Sequence, residues 1–160
     1  MSSTIATIFG IGYMRPAPGT WGSIFAVILA ILLVENFGII AFVLALLLVS
    51  VLGWWATDNY LQQSQSKDPS EVVIDELVGQ WIAVLPVALA VFHLNLGPLE
   101  LWPGWLSSFL FFRFFDILKP SLIGWADIEN GALGIMLDEM LAGIAAAICT
   151  IILAAIYHGI

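Results

Sequence analysis

The sequence predicts an all-α, polytopic integral membrane protein: a helical bundle of about four or five membrane-embedded helices. Three observations predict it. Of the 160 residues, 61% are hydrophobic and only 10% are charged, whereas an ordinary soluble domain carries about 25% charged residues. Mean hydropathy is +1.04, so the chain lacks the polar side chains to cover a water-facing surface. Long apolar runs recur between clusters of Gly, Pro and charge, and in hydrocarbon such a run must satisfy its own backbone, as a helix does. The length suits one domain, residues 1–160.

The elements follow in order. Residues 2–7 are short and mildly polar, with no basic region before an apolar core, so no cleavable signal peptide is expected. Residues 10–23 hold several prolines and glycines and are expected to be a loop. Thr20 or Ser23 can cap the helix that follows, which should end at Glu35-Asn36-Phe37-Gly38. Counted from Thr20 that helix is only about 22 Å long, short of a hydrocarbon core of about 30 Å. It is either re-entrant or crosses a thinned membrane. Residues 39–56 form an apolar run that reads as a spanning helix, with Trp54 and Trp55 where interfacial aromatics belong.

Residues 58–67 are polar and belong outside the hydrocarbon. Asp68-Pro69-Ser70-Glu71 then reads as a helix start, with Asp68 as N-cap, Pro69 at N1 and Glu71 at N3. This helix should run to about Leu94, with its first two turns in water and Pro86 able to kink it. A loop over residues 93–104, a short crossing over 105–118 ended by Pro120, a loop over 121–134 and a last apolar helix over 135–157 complete the chain. If each segment crosses once, ten of the twelve acidic residues and all four basic ones gather at one end, leaving Glu35 and Glu100 opposite. Basic residues favour the cytoplasm, so that end is expected to face inward.

Composition and motifs exclude several functions. With only four basic residues, nucleic-acid binding is not expected. The single cysteine, Cys149, allows neither an intramolecular disulfide framework nor a Cys-based zinc site. His93 and His158 fall at the far end, which removes histidine-based phosphatase and Ser-His-Asp mechanisms. There is no Walker A loop, no Cys-x5-Arg loop and no Asp-x-Asp motif.

Two Asp-Glu pairs stand out. Ile74-Asp75-Glu76-Leu77 is echoed by Leu137-Asp138-Glu139-Met140, each followed by small residues. Neighbours on a helix point about 100° apart, so one or two carboxylates of each pair, helped by Asp116 or Asp58, are the expected metal ligands. The candidate metal set is Asp75, Glu76, Asp138 and Glu139. Oxygen-only donors suit Mg²⁺ or Mn²⁺ rather than zinc. The simpler explanation is that these acids complement helix dipoles; it accounts less well for a pair at each point where the chain enters an apolar helix. Arg113, Asp116 and Lys119 stand at i, i+3 and i+6, so Arg113 and Lys119 can clamp phosphate while Asp116 reaches a metal. Internal ion pairing with Lys119 snorkelling is the alternative. Thr20 and Ser23, in a Pro-Gly turn at a helix N-terminus, are further phosphate-binding candidates, although an ordinary turn and cap also explains them.

Three blocks together resemble the phosphatidylglycerophosphatase A family: Ala17-Pro18-Gly19-Thr20-x-Gly22-Ser23; Asp75-Glu76-x-x-Gly79; and Phe112-Arg113-x-x-Asp116-x-x-Lys119-Pro120 with Gly134-Ile135-Met136-x-Asp138-Glu139-x-x-Ala142-Gly143. The pattern departs from the family at Leu122, where a second proline is usual, at Gly131-Ala132, where Gly-Gly is usual, and at Glu139, where Asp is common. The resemblance implies a magnesium-dependent enzyme of the bacterial inner membrane, its site facing the cytoplasm. It would remove the terminal phosphate of the lipid phosphatidylglycerophosphate to give phosphatidylglycerol. Asp75, Glu76, Arg113, Asp116 and Lys119 would be the catalytic set; the chemistry asks for a carboxylate as general base, Glu76 in the first instance, with an aspartyl-phosphate intermediate as the alternative route. A divalent-cation transporter and a structural membrane subunit are the rival readings; a transporter should scatter its acids at mid-bilayer depth.

Overall fold

Gly38 decides the layout of the first half of the chain. In the computed structural model, which describes residues 1–66, 69–120, 122–129 and 131–159, helix α2 (Pro18–Leu61) is interrupted at Gly38, whose φ of 79° and ψ of 178° are not helical. Only glycine adopts this conformation readily. A straight helix would hold Gly22 and Gly53 roughly 46 Å apart. Instead a Cβ at Gly22 would stand 3.1 Å from the Val73 side chain, and one at Gly53 3.1 Å from that of Ile74. The two arms, residues 18–37 and 39–61, are therefore folded back beside each other.

Among the described residues the other helices are α1 (Ser2–Ala6), α3 (Ile74–Leu94), α4 (Trp102–Leu118), α5 (Leu122–Ile128) and α6 (Ala132–His158), with 3-10 turns at Ile11–Tyr13 and Pro98–Leu101. The protein is all-helical, and α2, α3 and α6 are long and apolar enough to cross a membrane. Its outer surface agrees: Ile40, Leu44, Val51, Ile148, Ile152 and Ile156 are all exposed, which in water would be an aggregation surface.

Helix α3 is the central post. Trp81 is buried against both arms of α2: its Nε1 donates to the Ala26 carbonyl at 2.9 Å, and its ring lies 5.3 Å from that of Phe42. On its other side α3 crosses α6 at very short range. A Cβ at Gly79 would stand 2.5 Å from the Glu139 carbonyl oxygen and 2.7 Å from the Phe112 ring, and one at Gly143 would run into the Gly79 carbonyl. Ala83, Ala142 and Ala146 continue this small-residue contact, all fully buried. Between membrane helices packing replaces the hydrophobic drive, so close backbone approach at small residues holds them together. Ser108 of α4 and Thr150 of α6, 3.2 Å apart and buried, add a hydrogen bond.

Several boundaries differ from the sequence expectation. The first helix starts at Pro18, not Thr20, and stays helical through Glu35-Asn36-Phe37, where Asn36 Nδ2 donates to the Leu32 carbonyl at 2.8 Å. That arm is about 30 Å long, so it is not short for a bilayer. Neither Thr20 nor Ser23 caps it: the N-cap is Ala17, without a side-chain hydrogen bond. Helix α3 starts at Ile74, not near Pro69. Asp68 lies outside the described residues, and Glu71 instead accepts a hydrogen bond from Tyr60 Oη at 2.9 Å. The Val73 N–H donates to the Ala6 carbonyl at 2.9 Å, which fastens the approach to α3 onto the N-terminal segment. The first two turns of α3 are thus packed rather than standing in water, with Asp75, Leu77 and Val78 buried. The segment expected as a loop after Pro120 contains α5, and α6 begins at Ala132.

The α3–α6 contact predicts that Gly79→Val destabilises the protein by about 1–3 kcal/mol through overpacking. Thermal unfolding in detergent, followed by tryptophan fluorescence, should show a lower midpoint; an unchanged midpoint would refute the close crossing.

Candidate active site

The two Asp-Glu pairs begin alike. Asp75 Oδ1 accepts the Glu76 N–H at 2.9 Å, and Asp138 Oδ1 accepts the Glu139 N–H at 2.9 Å. Each aspartate is thereby folded against its own backbone, and each glutamate is left to reach away. Helix α4 supplies the third carboxylate. Its Phe112 packs against Gly79, which sets Asp116, one turn on, beside the glutamates. Glu76, Asp116 and Glu139 offer oxygens that all lie within 4.8 Å of one another. Among the described residues, then, one glutamate from each pair joins Asp116, as the expectation of one or two per pair with help from Asp116 allows, and of the four candidate metal residues Asp75 and Asp138 are not in the converging group. Asp58 stands elsewhere, accepting from Gln62 at 2.9 Å.

Arg113 occupies the edge of this cluster. Its Nη1 lies 2.5 Å from Glu76 Oε2 and 2.7 Å from Asp116 Oδ2, and donates to Ser23 Oγ at 3.2 Å. Ser23 is fully buried, and its hydroxyl also lies 2.8 Å from the Gly19 carbonyl and 3.3 Å from Glu76 Oε2. Its polar atoms are engaged inside the protein, whereas Thr20 lines the open pocket. Glu139 Oε2 is buried with no hydrogen-bond partner among the described residues. A buried, unpaired carboxylate oxygen is costly. With two neighbouring carboxylates and all-oxygen donors, the triad has the chemistry to hold a hard divalent cation.

Lys119 is placed differently from its i, i+3, i+6 expectation. It ends α4 in a left-handed conformation, φ 42°, and so leaves the helix face that carries Arg113 and Asp116. Its Nζ lies 2.5 Å from Asp127 Oδ1 of α5 and 2.5 Å from Asp138 Oδ2 of α6. Burial works against its charge, but these hydrogen bonds, with the Asp138 and Glu139 charges, outweigh burial and raise its pKa above the ordinary lysine value. Lys119 therefore stays cationic across the physiological range.

These groups surround a cavity of about 530 Å³, within the size range of small-molecule sites. Seven acidic residues (Asp75, Glu76, Asp116, Asp127, Glu129, Asp138 and Glu139) and two basic ones (Arg113 and Lys119) line it. The Pro18–Thr20 end of α2, Ser70 and the Val72-Val73 segment form further walls. Sequence reasoning left out Asp127, Glu129, Ser70, Ile117 and Ile128. Only Asp127 carried a signal, as an acid eight positions from a lysine; Ile128 and Glu129 line the pocket with α5, Ile117 with the end of α4, and Ser70 with the segment before α3.

An all-helical body with a membrane-type surface and an acidic pocket defines a class: a membrane protein whose acidic triad could hold a metal ion. Within that class, residues 4–154 match the family described as phosphatidylglycerophosphatase A, and the chain belongs to that family. It is 37% identical over 146 residues to phosphatidylglycerophosphatase A of Haemophilus influenzae, covering 90% of this chain and 83% of that protein. It is 37% identical over 147 residues to a Bacteroides thetaiotaomicron protein provisionally named a phosphatidylinositol-3-phosphatase, covering 88% and 85%. To phosphatidylglycerophosphatase A of Escherichia coli it is 28% identical over 148 residues, covering 89% and 77%. No solved structure matches the chain.

If the triad holds a divalent ion, Mn²⁺ should raise the thermal midpoint of the folded protein. An ion at 100 times its Kd adds about 2.7 kcal/mol. Glu139→Gln and Asp116→Asn should each remove most of that gain. A full Mn²⁺ shift in both variants would show that the ion binds elsewhere.

Proposed function

We propose that this chain is a magnesium-dependent lipid phosphatase that hydrolyses the terminal phosphomonoester of phosphatidylglycerophosphate to phosphatidylglycerol. The observation that carries the reading is the convergence of Glu76, Asp116 and Glu139 on one point of a pocket that also holds two cations, in a chain of the phosphatidylglycerophosphatase A family. Phosphomonoester hydrolysis is among the slowest uncatalysed reactions, and its catalysis is largely positioning and charge stabilisation. Glu76, Asp116 and Glu139 would hold the Mg²⁺. When bound, that ion supplies charge neutralisation for phosphoryl oxygens and lowers the pKa of a nearby water.

The protein groups divide the remaining work. Lys119 Nζ, held between Asp127 and Asp138, would receive phosphoryl oxygens. Arg113 is engaged with Glu76 and Asp116 and fixes the carboxylate geometry, so its role is positioning as much as binding. Glu76 Oε2 is occupied by Arg113 and Ser23, which suits a ligand better than the general base expected from sequence. Asp75 and Asp138 each orient the backbone at a neighbouring glutamate.

In the membrane, the two arms of α2, with α3, α4 and α6, make five embedded segments. The pocket then lies at one end with Arg15, Arg113 and Lys119, and the positive-inside tendency puts this end in the cytoplasm. The clustering of acids at the pocket end, rather than at mid-bilayer depth, favours this reading over a cation transporter.

Phosphate release from phosphatidylglycerophosphate in detergent micelles should require Mg²⁺ and stop in EDTA. Glu139→Gln should lower kcat/KM by roughly 100-fold or more, while Glu35→Gln at the far end leaves it unchanged. Turnover by wild type in EDTA would overturn the metal assignment. For orientation, cysteines replacing Glu129 and Glu100 in a Cys149→Ala background can be labelled with an impermeant thiol reagent. Glu129→Cys should react only from the cytoplasmic side and Glu100→Cys only from the other; the reverse pattern would invert the topology.

A further inference from the structure

The pocket is polar inside but not all around its rim. Of the larger apolar residues lining it, Val72 and Val73 are buried and Ile135 is half-buried. Ile117 and Ile128, in contrast, are 69% and 78% exposed. Ile117 follows Asp116 directly in α4, and Ile128 follows Asp127 directly in α5. The ion pair between Lys119 and Asp127 ties these two helix ends together, and both isoleucines line the cavity near it, so the cavity is bordered there by exposed hydrocarbon.

That border continues outward. Phe114 stands three residues before Ile117 and Trp125 three before Ile128, so each pair shares a helix face. Both aromatics are exposed, as is Leu118. Ser70, Glu129 and the Lys119–Asp127 ion pair also line the cavity. The mouth is therefore amphiphilic: charged groups that suit water and exposed hydrocarbon that suits the apolar part of a leaflet both border it. A ligand whose phosphate reaches the carboxylate triad, and whose hydrocarbon must stay out of water, has its exit on the Ile117–Ile128 side.

We propose that the gap between Ile117 and Ile128 is the portal and resting site for the diacylglycerol part of a lipid phosphomonoester. The chains lie on Phe114, Leu118 and Trp125 while the phosphate sits inside. This rests on the lipid-phosphatase reading and deepens it by naming where the tails go. The apolar rim then contributes to recognising a lipid over a water-soluble phosphomonoester with the same head.

The test compares long-chain phosphatidylglycerophosphate with the same compound lacking both acyl chains, using the full-length protein in mixed micelles. Ile117→Asn and Ile128→Asn should each lower kcat/KM for the long-chain lipid by roughly tenfold or more, mainly through KM. They should leave the deacylated compound unchanged, and Leu44→Asn, on a lipid face away from the pocket, should change neither. Equal losses on both substrates, or no loss on either, would overturn the portal. A second readout needs no turnover. With Ile128→p-benzoylphenylalanine in phosphatidylcholine vesicles holding a minor fraction of a non-hydrolysable phosphonate lipid, photo-crosslinks should favour the phosphonate lipid beyond its share. The same probe replacing Leu44 should not. Crosslinking in proportion to composition at both positions would also overturn the portal. Absence of phosphate release by wild type would instead count against the phosphatase reading, so the two failures are distinct.

Discussion

The site depends on two helix backbones touching. Helices α3 and α6 meet where Gly79 and Gly143 leave no side chain between them, and α4 presses Phe112 into the same junction. Each helix then carries a carboxylate about one turn nearer the pocket: Glu76 before Gly79, Glu139 before Gly143 and Asp116 after Phe112. A single packing contact thus fixes three oxygens within 4.8 Å. In water, burial of apolar surface could hold such helices at many separations. In a bilayer close packing has to do it, so small residues at this junction set the distance on which the chemistry depends.

Electrostatics explains the rest of the arrangement. Three carboxylates this close repel one another, and burial raises the cost of their charge. Arg113 offsets part of that cost from one side by taking Glu76 and Asp116. Glu139 Oε2 is left without a partner among the described residues. Lys119 meets a parallel need at the mouth, where it ties α5 and α6 to the end of α4. Both cations therefore bridge elements. For the more buried Arg113 pairs, removing one partner is more damaging than exchanging the whole pair.

Much of this could be read from residue order, and the misreadings have physical causes. Gly38 was legible as a break, but its neighbours Glu35 and Asn36 looked like part of the break because they are polar. Asn36 instead bonds back to Leu32 and extends the helix. Asp68 to Glu71 had the composition of a helix start, yet Val73 is captured by Ala6, sixty-seven positions earlier in the chain, and the helix waits until Ile74. Local capping preference is worth about 1 kcal/mol, which a tertiary hydrogen bond and its packing can override. Helix α5 was hidden because seven residues, fewer than two turns, are too short to show a period.

From sequence alone came the membrane class, the all-helical body, and the grouping of both Asp-Glu pairs with Arg113, Asp116 and Lys119, which all line one pocket. These follow from composition, run length and the order of crossings, which are properties of the chain as a string. Which member of each pair reaches the centre was decided only by tertiary structure. Adjacent helical residues differ by about 100° in direction, and the rotation of α3 against α6 is set by where two glycines let their backbones meet. Packing of Phe112 at the same contact brings Asp116 in as the third carboxylate, while the left-handed end of α4 sends Lys119 away from that helix face toward Asp127 and Asp138.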